Sequence, residues 1–224
     1  MPVKACDVVR AIQSTRPIIV SLVVAAVVAG IGLRVPQPAA AAATETTQTA
    51  VLAGGCFWGL EGVFEALKGV RHVVAGYSGG SAVSAHYEIV STGLTGHAES
   101  VAITYDPREV SYATLLKVYF LIAHDPTESN RQGDDYGPQY RSEIFYASEA
   151  QKREAQSVIR RLTDSKTFSS PIVTEVAPLR AFYAAETHHQ HYMALHPNDP
   201  YIETMDAPKL EHLRASFPGL LAAK

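Results

Sequence analysis

Cys56 lies in Gly54-Gly55-Cys56-Phe57-Trp58-Gly59, a thiol between two glycines and two aromatic rings. A cysteine in a strand or helix interior reads as core. One in a glycine-flanked bend, where the backbone can approach a ligand closely, reads as a nucleophile. Phe57 and Trp58 read as walls of an apolar pocket or as core residues at the start of a helix. The chain has a single tryptophan, two positions after this cysteine, which favours the pocket wall.

A thiol nucleophile needs a proton donor or acceptor beside it. Glu99, in Gly96-His97-Ala98-Glu99, sits at the mouth of an alternating segment between apolar Ala98 and Val101. In an apolar pocket its carboxyl stays protonated and can donate; at a solvated strand end it does not. Tyr87 and Tyr140 can donate neutral hydrogen bonds to an oxygen that gains charge, although with eleven tyrosines in the chain packing is the commoner explanation on pattern alone. Asp134 and Asp135 follow Gln132-Gly133 in a polar loop; one of them can hold a water or orient these donors, though a turn role is the safer reading. A hydrolase would instead pair Cys56 with His97 or His189 as base. His188 and His191 are three apart in Glu186-Thr187-His188-His189-Gln190-His191-Tyr192 and would share a helix face, but the usual zinc spacings are absent. No metal and no cofactor is expected, and hydrogen bonding is the expected work of His189 and Gln190.

The elements that must carry these groups follow from periodicity. Residues 47–53 read as a buried strand ending in Gly-Gly, and residues 57–68 as a helix with apolar positions at Phe57, Leu60, Val63, Phe64 and Leu67. Cys56 then stands at a strand-to-helix junction, where free N–H groups and the helix dipole favour a thiolate. Residues 70–77 and 100–105 read as strands, the second with Val101, Ile103 and Tyr105 on one face, and residues 111–123 as an apolar helix. A polar loop spans 124–139; such length without periodicity points to function or disorder. Strands at 140–147 and 172–177, helices at 149–162 and 184–194, and an irregular tail with one helix at 208–217 complete the order. This order predicts an α+β fold: a two-layer α/β plait with a mixed, largely antiparallel central sheet and a long irregular C-terminal tail.

Charge and termini bound the setting. The formal net charge of −3 gives no electrostatic footprint for nucleic acid. Lys4, Arg10 and Arg16 precede a nearly unbroken apolar run over 18–33 and an alanine run over 39–43. That order predicts a signal peptide over 1–43, or an uncleaved anchor, and a catalytic domain over 44–224 that works outside the cytoplasm, in the periplasm or beyond the cell. Cys6 would then be removed or left across the membrane from Cys56, and two cysteines cannot build a disulfide framework.

Taken together, Gly55-Cys56-Phe57-Trp58-Gly59, Gly76-Tyr77-Ser78-Gly79-Gly80, Thr95-Gly96-His97-Ala98-Glu99, Tyr105-Asp106-Pro107, His124-Asp125-Pro126 with Arg131-Gln132-Gly133-Asp134-Asp135-Tyr136-Gly137, and Glu186 with His189-Gln190 resemble the peptide methionine sulfoxide reductase A family. The resemblance covers about residues 50–217. It implies reduction of the S epimer of methionine sulfoxide, in proteins and as the free amino acid. Cys56 would be the nucleophile, Glu99 the acid aided by Tyr87 and Tyr140, Phe57 and Trp58 the cradle of the S-methyl group, and Asp135 the support of the polar network. The chemistry agrees: a thiolate attacks an electrophilic sulfur only when the departing oxygen is protonated or hydrogen-bonded. Many members carry recycling cysteines near the C-terminus, but residues 193–224 hold none. The resulting sulfenic acid would need an external thiol: a thioredoxin-like or glutaredoxin-like protein, a small thiol, or dithiothreitol in vitro. Partners are therefore oxidised proteins or peptides and a thiol reductant, with a monomer expected.

Overall fold

A computed structural model describes residues 46–223. The expected export segment and Cys6 lie outside the described residues. The frame is a six-stranded sheet in the order β7-β6-β1-β3-β2-β8. Its strands are β1 (Gln48–Ala53), β2 (Val70–Ser78), β3 (Ala98–Tyr105), β6 (Glu143–Tyr146), β7 (Glu175–Pro178) and β8 (Phe182–Ala184). All neighbours are antiparallel except β6 and β7, which run parallel, so the mixed, largely antiparallel sheet is as expected. Two short strands, β4 (Arg131–Gln132) and β5 (Asp135–Tyr136), form a hairpin within the polar loop.

Alternation sorts the side chains between the two faces. Ala50 and Leu52 of β1, Val73, Ala75 and Tyr77 of β2, and Val101, Ile103 and Tyr105 of β3 point into the main core. Val51, Ala53, Ala98 and Phe145 point to a smaller cluster on the other face. Glu99 shares the parity of Val101 and pairs with Tyr77 across β2 and β3, so it faces the main core.

The helices are α1 (Phe57–Glu65), α2 (Tyr87–Val90), α3 (Tyr112–Val118), α4 (Glu149–Asp164), α5 (Tyr192–Leu195) and α6 (Ala207–Ser216). Helix α3 continues as a π-helical turn over Tyr119–Ala123. Helix α1 packs on β2 and β3 and is covered in turn by α5 and α6. It is therefore buried on most sides, which fits its apolar sequence apart from Glu61 and Glu65. Gly59 and Gly62 permit the close approach: a Cβ on Gly59 would lie 2.1 Å from Asp206 Oδ1, and one on Gly62 2.4 Å from Met193 Sδ.

Two expectations need correction. Residues 184–194 are not one helix: β8 ends at Ala184, a 3-10 turn covers Thr187–His189, and His191 has φ 54. Tertiary bonds override the helical pattern there, because the Gln190 side chain bonds both N–H and C=O of Ala75 at 3.0 Å and the His191 N–H donates to Glu61 at 2.7 Å. The strand expected over 140–147 starts later, at Glu143, because Tyr140 closes a 3-10 turn over Pro138–Tyr140.

Candidate active site

The route from β1 into α1 sets the thiol. Gly55 has φ +92, a conformation that favours glycine, and its N–H donates to the Tyr140 carbonyl at 3.1 Å. Gly54 passes so close to the His124 ring that a Cβ would meet it at 2.8 Å. Cys56 follows as the N-cap residue of α1, with its side chain 7% exposed.

Glu99 lies beneath the same helix start. It is 1% exposed and its Oε2 accepts from the Phe57 N–H at 3.1 Å. Burial pushes its carboxyl up to about 8, with the Asp135 and Asp206 charges adding to the push and the Phe57 bond opposing it. The apolar-pocket reading of Glu99 therefore holds, and at neutral pH it is a neutral acid. Tyr87 opens α2 and Tyr140 closes the 3-10 turn. Burial and the nearby Glu99 raise both phenols, so both remain O–H donors.

The thiol itself departs from expectation. Its pKa is raised well above the ordinary value, first by burial and then by Glu99 and Asp206. The Trp58 N–H at the helix start works the other way but is the weaker influence. Cys56 is therefore held as a thiol, not as a stabilised thiolate.

A cavity of about 210 Å³ joins these groups, lined by Cys56, Phe57, Trp58, Tyr87, Glu99, Asp135, Tyr140 and Tyr201. All seven residues to which the family resemblance gives a role are in it. The eighth, Tyr201, comes from the tail and carries no local signal; its hydroxyl donates to Asp135 Oδ2 at 2.5 Å. Asp135 is the pocket member of the acidic pair, while Asp134 is exposed in the β4–β5 turn. Trp58 stacks on Tyr192 with centroids 3.8 Å apart and meets Tyr201 edge-on at 5.8 Å. Phe57 is fully buried against Tyr77 and His189. Behind the pocket Glu186 accepts from the Tyr87 N–H at 3.0 Å and from the Tyr77 hydroxyl at 2.9 Å, anchoring α2.

The histidines do not serve Cys56. His97 accepts the Gly80 N–H at Nδ1 and donates from Nε2 to the Ser81 carbonyl at 2.9 Å, so both ring nitrogens hold the turn after β2. His189 has no hydrogen bond at either nitrogen and packs against the rings of Phe57, Trp58 and Tyr87. No histidine lines the cavity. The hydrolase arrangement is thereby overturned, as is the expected hydrogen-bonding role of His189; that of Gln190 holds. His188 and His191 share no helix face, because the left-handed backbone at His191 separates them.

Comparison with known proteins agrees with this geometry. The family model described as peptide methionine sulfoxide reductase matches residues 48–219. The chain is 51% identical over 178 residues to peptide methionine sulfoxide reductase MsrA 2 of Mesorhizobium japonicum, covering 80% of this chain and 91% of that protein. It is 49% identical over 174 residues to MsrA of Thermus thermophilus, covering 78% and 97%. Among solved structures, the reduced form of Mxr1 from Saccharomyces cerevisiae aligns with TM-score 0.64 at 32% identity, over 68% of this chain and 87% of that one. Methionine sulfoxide reductase A of Corynebacterium diphtheriae aligns with TM-score 0.59 at 34% identity, over 67% and 76%. With a family model spanning β1 to the end of α6 and relatives at about half identity, the chain belongs to the peptide methionine sulfoxide reductase family.

Proposed function

We propose that this pocket reduces the S epimer of methionine sulfoxide to methionine, in oxidised proteins and as the free amino acid, and so repairs oxidative damage. The observation that carries the reading is the pairing of a buried thiol with a buried carboxyl held at about 8. The cradle of Phe57 and Trp58 suits an S-methyl group. With the methyl seated there, the sulfoxide oxygen faces Glu99 and the hydroxyls of Tyr87 and Tyr140. Proton donation to that oxygen makes the sulfur electrophilic, and Cys56 Sγ attacks. Methionine leaves with its sulfur reduced by two electrons, and Cys56 keeps the oxygen as a sulfenic acid. The thiol proton and the oxygen account for every atom exchanged. Asp135, bonded to Tyr201, supports the polar side of the pocket.

Between Cys56 and Lys224 there is no second cysteine. An external thiol therefore attacks the sulfenic acid, releasing water and forming a mixed disulfide. A second thiol frees Cys56 as the reductant's own disulfide forms. A thioredoxin-like or glutaredoxin-like protein, or a small thiol, fits this role. The basic, apolar and alanine-rich order of residues 1–43 supports export to the periplasm or beyond, cleaved or anchored. Among the described residues no helix is long and apolar enough to cross a membrane.

Racemic N-acetyl methionine sulfoxide amide with dithiothreitol tests the assignment. Chiral chromatography should show loss of the S epimer alone, abolished by Cys56→Ser. Persistence of both epimers would overturn it.

A further inference from the structure

Where α1 meets the tail at His191, beside the start of β2, a second group of ligating atoms converges. Glu61 and Glu65 are one turn apart and share a helix face. His191 is brought to them from the tail by its own N–H, which donates to Glu61 Oε2 at 2.7 Å. Its Nδ1 lies 2.6 Å from Glu65 Oε1 and 3.8 Å from Glu61 Oε1. One ligand atom from each residue can be chosen so that all three lie within 4.8 Å of one another. Among the described residues this is the one such group.

Glu61 supplies an independent sign. It is 1% exposed, yet its Oε1 has no hydrogen-bond partner. A buried carboxylate oxygen left without a donor is costly, and a cation satisfies it. A cleft of about 240 Å³ beside Glu65 and His191, also lined by His72, leaves room for water ligands. Arg71 lines that cleft too, but its guanidinium is engaged by Asp106 at 3.1 Å and Glu109 at 2.6 Å.

We propose that Glu61, Glu65 and His191 bind a first-row divalent cation, Zn²⁺ being the best match to one imidazole and two carboxylates with water completing the shell. Bonds of about 2.0–2.2 Å hold ligands no more than about 4.4 Å apart, so small rotations of the partly exposed Glu65 and His191 side chains close the set. The ion replaces the proton that now bridges His191 and Glu65. It takes no part in the reaction with sulfoxide. It cross-links α1 to the segment whose His189 and Tyr192 rings back Phe57 and Trp58.

Calorimetric titration of the full chain with Zn²⁺ tests this, with Cys6→Ser and Cys56→Ser removing the thiols as competing ligands. One equivalent should bind saturably. Glu65→Gln and His191→Asn, both at partly exposed sites, should each weaken binding at least about tenfold while leaving the far-ultraviolet circular dichroism unchanged. Zn²⁺ at a hundredfold excess over Kd should raise Tm by about 5 °C, and the two variants should lose that rise. Absence of saturable binding at millimolar Zn²⁺, or binding that either substitution leaves intact, would overturn the proposal.

Discussion

The backbone N–H of Phe57 donates to Glu99 Oε2 at 3.1 Å, so the residue that follows Cys56 also holds the Glu99 carboxyl. Thiol and carboxyl are thereby kept in register by one helix start. The bond stabilises the carboxylate, yet burial outweighs it and leaves Glu99 near 8. The acid is positioned by the bond and kept protonated by the surrounding pocket.

Glu99→Gln removes the transferable proton while keeping an acceptor for the Phe57 N–H. The rate of methionine formation in a single turnover without reductant should fall by roughly 10²–10⁴-fold, the usual worth of a general acid. Rapid quench and chromatography measure it. A variant as fast as wild type would remove Glu99 from the chemistry.

The same carboxyl makes stability depend on pH. Its folded pKa of about 8 exceeds the ordinary 4.5, so the folded state binds more protons between these values. Stability from this group is complete below about 4.5, declines as pH rises, and is lost above about 8. The upper limit of the loss is about 5 kcal/mol, from 1.36 kcal/mol per pH unit. Wild type should lose more stability than Glu99→Gln between pH 5 and pH 9 in urea unfolding, and parallel losses would contradict the buried neutral acid.

Cys56 should react sluggishly with alkylating reagents. Burial and the Glu99 and Asp206 charges raise its pKa, so alkylation by iodoacetamide should titrate above the ordinary thiol value of 9.0. Above pH 8, where Glu99 ionises, Glu99→Gln removes one of these charges. It should speed alkylation while it slows turnover. Both rates moving together would show that Glu99 acts on the thiol by another route.

What was legible before the structure lies close to Cys56 along the chain or in strong alternation. The alternation of Val101, Ile103 and Tyr105 predicts the inward face of the strand, while Glu99 at its mouth stays open between pocket and solvent, and the Gly-Gly break predicts the junction that carries Cys56. Tyr201 was not legible. Its partner Asp135 is 66 residues away, and nothing in the local pattern of the tail marks it. The 184–194 segment misled for the same reason, since Gln190 is fixed by Ala75 across 115 residues. The thiolate expectation rested on the helix start, whose influence the burial of Cys56 outweighs.

Tyr201→Phe isolates that unforeseen contact. It keeps the ring against Trp58 and removes only the hydroxyl bond to Asp135. Substrate binding and positioning should suffer while the thiol is unchanged. We expect kcat/KM to drop several-fold, in line with about 1 kcal/mol for a lost hydrogen bond, with an unaltered alkylation profile of Cys56. Equal kcat/KM in the two proteins would leave Tyr201 as a wall and nothing more.

The two helix glycines give a matched pair. Gly→Ala in a helix interior ordinarily stabilises by up to about 1 kcal/mol. At Gly59 the new Cβ would stand 2.1 Å from Asp206 Oδ1, an atom tied to Lys209 at 2.9 Å and fully buried. The carboxyl cannot retreat without losing its ion pair, so overpacking wins, and Gly59→Ala should cost about 1–3 kcal/mol. At Gly62 the obstacle is Met193 Sδ at 2.4 Å, in a flexible thioether that has other rotamers. Gly62→Ala should therefore cost clearly less. Urea unfolding of both variants decides it. Equal losses would mean that α1 rejects any added methyl, and that the Asp206–Lys209 pair does not by itself dictate the glycine.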